Sequence, residues 1–123
     1  MAMPLLVSVV DDDESVREAL AGLLRELGYA VAAFASAHHF LEKGDADATH
    51  CLILDVSMPG MSGPELQREL KAQGRAIPIV FISAQADPAL RPALLAEGAV
   101  AYLQKPFGEP DLLQALAAAM PLR

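Results

Sequence analysis

The sequence predicts a parallel α/β fold, one sheet of five strands with helices on both faces. Two observations carry that expectation. Short apolar runs alternate along the chain with segments whose apolar residues recur at helical spacing. One of the runs, "CLIL" at 51–54, is apolar at four consecutive positions, the pattern of a strand buried on both faces.

The elements follow in order. "LLVSVV" (5–10) reads as the first strand. Val16, Leu20, Leu23, Leu24 and Leu27 then recur at helical spacing, and Gly28 supplies a stop. "YAVAAF" (29–34) is the second strand; Ser36 to about Glu42 is a shorter helix, followed by the polar loop "KGDADATH". "CLILD" (51–55) is the third strand. Ser62 caps the next helix, Pro64 suits its first turn, and Glu65 completes a Ser-x-x-Glu capping box. That helix runs to about Lys71, and Gly74 closes it. "IPIVFIS" (77–83) is the fourth strand. A proline inside a helix costs ~3 kcal/mol, so Pro88 and Pro92 predict an irregular "QADPALR" and a short helix from near Pro92 to Glu97. "VAYLQ" (100–104) is the fifth strand, and a helix from Glu109 to Ala119 should carry Leu112, Leu113 and Leu116 inward.

Bulk properties narrow the function. The 123 residues suit one domain, residues 1–123, with a proper core. Apolar residues make up 54%, above the ~45–50% usual for soluble domains, which leaves apolar surface for a partner. The net charge of -7 offers no basic stripe, so no direct nucleic-acid contact is expected. The single cysteine, Cys51, allows no internal disulfide and opens a buried strand, where it should pack as core. No apolar run approaches the ~20 residues of a membrane span, and "MAMPLLVSVVDDD" lacks a basic leader, so a cytoplasmic location is expected.

In this architecture ligands gather at the carboxyl ends of the strands. The first strand ends in Asp11, Asp12 and Asp13; the third in Asp55; the fourth in Ser83, followed by the small Ala84. The fifth is followed by Lys105 and Pro106, whereas the second ends differently, in "FASA". Carboxylates within ~4 Å repel by roughly 4 kcal/mol per pair at an effective dielectric of 20. Such a cluster needs a cation, and oxygen donors without His or Cys suit a hard ion, Mg²⁺ best. An Asp beside that metal, with a lysine and a hydroxyl around it, can act as a nucleophile toward phosphorus. Metal, lysine and hydroxyl would each bind a peripheral phosphoryl oxygen. Asp55 becomes a phosphoacceptor if the sheet order brings the first and third strands together.

Four motifs, "VVDDDESVR", "LDVSMPGMSGPEL", "IPIVFIS" and "EGAVAYLQKPF", in that order and spacing, resemble the response-regulator receiver domains of two-component signalling. The likeness covers nearly the whole chain and is greatest to the FixJ-type receivers. It implies a flavodoxin-like (CheY-like) sheet in the order 2-1-3-4-5, with the first and third strands adjacent. It implies that Asp55 is phosphorylated by a sensor histidine kinase or a histidine phosphotransferase. Asp12 would bind Mg²⁺ directly, Asp11 mostly through a metal-bound water, and the backbone carbonyl of Ser57 would be the third protein ligand. Ser83 would move onto the phosphoryl group and Lys105 pair with it, with a cis Lys105–Pro106 peptide. Tyr102 matches the switch aromatic, and the fourth helix, fifth strand and fifth helix would form the face for an effector or a homodimer.

Other readings are weaker. Asp13 and Glu14 suit the first turn of a helix, and His38 and His39 have no carboxylate or Cys at ligand spacing. A haloacid-dehalogenase-like phosphatase needs a second acid two residues after its nucleophile, where this chain has Ser57. A flavodoxin-like electron carrier needs a hydroxyl- and glycine-rich loop after the first strand; the acids there would repel its phosphate. A constitutive docking domain with a dead acceptor does not fit, because acceptor, acids, hydroxyl and lysine are all present. The expectation is a signalling module rather than an enzyme, with self-phosphotransfer and autodephosphorylation its only chemistry. Met120-Pro121-Leu122-Arg123 adds no effector segment, so any DNA-binding role would need residues beyond these.

Overall fold

The computed structural model describes residues 4–85 and 87–120. Five strands, β1 (Leu6–Val10), β2 (Ala30–Phe34), β3 (Cys51–Asp55), β4 (Ile79–Ser83) and β5 (Ala101–Gln104), alternate with five helices. These are α1 (Glu14–Glu26), α2 (Ala37–Lys43), α3 (Gly63–Ala72), α4 (Leu90–Ala96) and α5 (Glu109–Ala119). All strands are parallel, in the order β2-β1-β3-β4-β5, the flavodoxin-like arrangement. The register sets Val10 opposite Leu54 and Asp55 opposite Ile82, so the strands end nearly level.

The continuous apolar run of β3 has a direct cause. Successive side chains of a strand point to opposite faces. Leu52 and Leu54 enter one core with Phe40, Leu66, Leu70 and Phe81, beneath α2, α3 and α4. Cys51 and Ile53 enter the other, with Leu20, Leu24, Val80, Ile82, Leu112 and Leu116, beneath α1 and α5. Both faces are dry, so every position must be apolar until the strand leaves the core at Asp55. Burial pushes the Cys51 thiol up to about 12, leaving an inert packing residue.

The helix starts follow the chemistry of their caps. The Asp13 carboxylate accepts from the Ser15 and Val16 N–H groups at α1, and the Ser36 hydroxyl accepts from His39 N at α2. Ser62 and Glu65 close a reciprocal capping box at α3. No described helix is long and apolar enough to cross a membrane.

Two details differ from the sequence expectation. Helix α4 begins at Leu90, two residues before Pro92. The Asp87 carbonyl accepts from Leu90 N and its carboxylate from Ala89 N, which starts the turn early. Pro92 then falls in the first turn, where a missing N–H leaves no helical bond unmade. Leu113 is not inward but 41% exposed: α5 turns Leu112, Ala115, Leu116 and Ala119 to the sheet, and position 113 lies a quarter-turn away from them.

One glycine controls how closely α3 approaches the end of β3. Gly63 N donates to the Val56 carbonyl at 3.0 Å, and a Cβ on Gly63 would overlap the Asp55 carbonyl oxygen and meet the Phe81 ring at 3.0 Å. Gly63→Ala should therefore lower stability by about 2–3 kcal/mol through overpacking and displace the Asp55 amide signal. Urea denaturation and an amide spectrum check this; an unchanged midpoint would contradict the close approach.

Candidate functional site

Strand ends assemble the site. Asp11 directly follows β1, and its N–H donates to Phe34 O at 3.1 Å, extending the β1–β2 ladder by one bond. The residue is fully buried, so each of its polar atoms needs a partner. Oδ1 accepts from Asp13 N at 2.9 Å, Oδ2 from Lys105 Nζ at 2.9 Å, and the carbonyl oxygen from Arg17 Nη1 at 2.7 Å. Asp55 closes β3 with its side chain 8% exposed, and its Oδ1 lies 3.6 Å from Lys105 Nζ. Asp12 is exposed at the mouth. Ligand oxygens of Asp11, Asp12 and Asp55 all lie within 4.8 Å of one another.

Lys105 arrives from the far edge of the sheet. Its N–H donates to the Ser83 carbonyl at 2.7 Å, and the Lys105–Pro106 peptide is cis, as the family resemblance implies. Ser83 ends β4 almost fully buried, and its Oγ accepts from Gln85 N at 3.0 Å. Gln85 in turn accepts at its carbonyl from the Tyr102 hydroxyl at 3.0 Å. Tyr102 itself is half-buried on β5, opposite Phe81, and is bonded to Gln85 rather than to the acidic residues. Ser57 lies exposed in the loop after Asp55.

The electrostatics follow from this crowding. Burial pushes the Asp55 carboxyl up to about 6, Asp11 and Asp12 add to the rise, and Lys105 and a backbone hydrogen bond from Ser57 oppose it. At Lys105 burial works against the charge, but the hydrogen bond to Asp11 and the fields of Asp11 and Asp55 outweigh it, raising the ammonium above its usual range. Three carboxylates face one ammonium, an excess of negative charge. Their oxygens converge, Asp12 leaves the group open to solvent, and no His or Cys belongs to it. That donor set fits Mg²⁺, which is satisfied by few carboxylates and keeps part of its water.

The structure thus brings Asp11, Asp12, Asp55 and Lys105 together, puts Ser83 on the neighbouring strand end, and leaves Tyr102 one residue removed. Arg17, on the first turn of α1, also reaches the site; it closes the "VVDDDESVR" motif, but the sequence reading gives it no role. The clue to it is its sign, since a helix dipole disfavours a cation in the first turn.

The pH dependence of stability has a definite sign. The folded pKa of Asp55 lies above the ordinary carboxylate value, so its protonated form stabilises the fold fully below about pH 4, and that contribution is lost as pH rises through about 6. In chelator-treated buffer, Asp55→Asn should be more stable than wild type by about 2–3 kcal/mol at pH 7.5, the difference vanishing near pH 4. Urea melts across that range measure it; a constant difference would remove the buried-charge account.

The response regulator receiver domain family model matches residues 7–117. The response regulator protein TodT of Pseudomonas putida is 45% identical over 117 residues, which cover 95% of this chain and 52% of that protein. The transcriptional regulatory protein FixJ of Azorhizobium caulinodans is 38% identical over 120 residues, covering 98% of this chain and 57% of its own length. The solved structure of the response regulator StyR superposes with a TM-score of 0.88 at 47% identity, covering 97% of this chain and 60% of that one. The chain therefore spans about half the length of the curated relatives TodT and FixJ. From the strand order, the acidic group and these likenesses together, the chain belongs to the response-regulator receiver domains of two-component signalling.

Proposed function

We propose that Asp55 takes a phosphoryl group from a histidine kinase or histidine phosphotransferase in a Mg²⁺-dependent reaction, and that the acyl phosphate is read on the face of α4, β5 and α5. One observation carries the reading: a nearly buried carboxylate at a strand end, with two acids on one side and an ammonium on the other. The residues 1–123 would act as one receiver domain, a cytoplasmic signalling module with no external substrate.

Asp11, Asp12, Asp55 and the Ser57 carbonyl would hold Mg²⁺, which supplies charge neutralisation for an incoming phosphoryl group. With its pKa near 6, Asp55 is mostly ionised at neutral pH and can attack phosphorus. The new bond joins Asp55 Oδ to phosphorus, the bond from phosphorus to the donor imidazole breaks, and the nitrogen keeps the electron pair. Lys105, now shared between Asp11 and Asp55, can turn one donor to a phosphoryl oxygen.

The hydroxyl of Ser83 supports the switching part of the reading. Its oxygen accepts from Gln85 N, which leaves the hydroxyl hydrogen free to donate to a phosphoryl oxygen on Asp55. Any movement of Ser83 toward that oxygen would draw on Gln85, whose carbonyl is tied to Tyr102 on β5. Two hydrogen bonds to one residue thus link Ser83, at the end of β4, to the proposed output face. An apolar groove of about 590 Å³, lined by Val16, Leu20, Leu23, Lys105 and Phe107, adjoins the site and offers the phosphodonor protein a docking surface. Some relatives are named transcriptional regulators, and regulation of transcription by a longer protein containing this domain is part of the proposal.

Beryllofluoride, a phosphoryl mimic, should bind wild type only when Mg²⁺ is present and should not bind Asp55→Asn. Amide shifts should spread from Ser83 through Gln85 and Tyr102 into α4 and α5. Binding without Mg²⁺, or shifts confined to the pocket, would refute the metal role or the output face respectively.

A further inference from the structure

We infer that Arg17 is a positioning residue of the cation site: by fixing the Asp11–Asp12 peptide, it sets where the Asp12 carboxylate is presented. The inference rests on reading the acidic group as a Mg²⁺ site.

Arg17 lies in the first turn of α1, after the Asp13 cap. Helical side chains lean toward the N-terminus, which brings the guanidinium back over the β1–α1 loop. There Nη1 donates to the Asp11 carbonyl oxygen at 2.7 Å, a short charge-assisted bond in a partly buried setting. Acids stand at 11, 12, 13 and 14, yet Arg17 forms no ion pair with any described carboxylate. A cation at a helix start also opposes the dipole. Neither helix stability nor charge pairing accounts for the residue; among the described residues its one side-chain hydrogen bond is to a neutral peptide oxygen.

That peptide joins Asp11 to Asp12. The amide is planar, so holding the Asp11 oxygen fixes the direction in which the Asp12 Cα departs. Asp11 has other anchors, since Asp13 N and Lys105 Nζ both donate to its carboxylate. Asp55 sits within a buried strand end and is paired with Lys105. The Asp12 carboxylate is exposed and accepts no hydrogen bond from the described residues. Of the three acids it alone depends on the backbone plane for its placement.

Two effects of Arg17 on a bound dication have opposite signs. Its charge repels the ion, while its hydrogen bond reduces the disorder that Asp12 loses on binding. Water and salt screen a partly exposed charge, so the positional effect dominates. Removal of Arg17 should weaken Mg²⁺ binding, whereas a field effect alone would strengthen it.

The test is Mg²⁺ titration of ¹⁵N-labelled wild type, Arg17→Met, Arg17→Lys and Arg25→Met, with thermal melts of each. Arg25, exposed in the last turn of α1, controls for the lost charge. Arg17→Met should raise the Mg²⁺ Kd by about tenfold, and without metal its Asp12 amide resonance should already be displaced. Arg17→Lys, which keeps a cationic donor, should recover part of the affinity. Arg25→Met should change the Kd by less than about twofold. If Arg17→Met does not fold, Arg17→Leu, which likewise has no donor, takes its place with the same expected loss. An Arg17→Met Kd equal to or tighter than wild type overturns the inference alone. Failure of wild type itself to bind Mg²⁺ overturns the proposed function and this inference with it.

Discussion

Repulsion among Asp11, Asp12 and Asp55, only partly offset by Lys105, is the constraint on which the site depends. Carboxylates this close do not stabilise a fold, and the structure holds them by means unrelated to their own attraction. Asp55 is carried on a strand buried on both faces, and Asp11 on the first residue past another. Because β1 and β3 are neighbours, the acids meet; any order separating those strands would disperse them. Burial first, and then the fields of Asp11 and Asp12, raise the pKa of Asp55, and a dication would relieve the repulsive part.

Lys105 belongs to the same balance from the opposite direction. It stands two strands away from Asp55, yet its backbone is bonded to Ser83 and its ammonium divides between two carboxylates. Ser83 is thus joined to the lysine through its carbonyl and to Gln85 through its hydroxyl. In the proposed function, a phosphoryl group would compete with the carboxylates for the ammonium and would take the free hydrogen of the hydroxyl. The contacts they now make are the ones that would change, and those contacts lead to Tyr102 on β5.

Much of this was legible in the sequence because it rests on local patterns. The run "CLILD" announces a doubly buried strand and its exit, and Ser62 with Glu65 announces a capping box that the structure contains. Asp11, Asp12, Asp55 and Lys105 could be grouped because each ends or follows an apolar run. The start of α4 was misjudged because the signal came from Asp87, whose carbonyl and carboxylate open the turn ahead of Pro92. Leu113 was misjudged because a leucine pair gives no phase; only packing shows which of the two faces the sheet. Gly63, Arg17 and Gln85 act on or through backbone atoms, and a backbone carbonyl leaves no mark in the sequence of the residue that bears it.

The most direct test of the central claim is intact-protein and peptide mass spectrometry after incubation with a small acyl-phosphate donor, with and without Mg²⁺. The account predicts the mass gain of one phosphoryl group, dependent on Mg²⁺, labile to hydroxylamine, mapped to Asp55 and absent from Asp55→Asn. No gain in wild type, or an equal gain in Asp55→Asn, would contradict it.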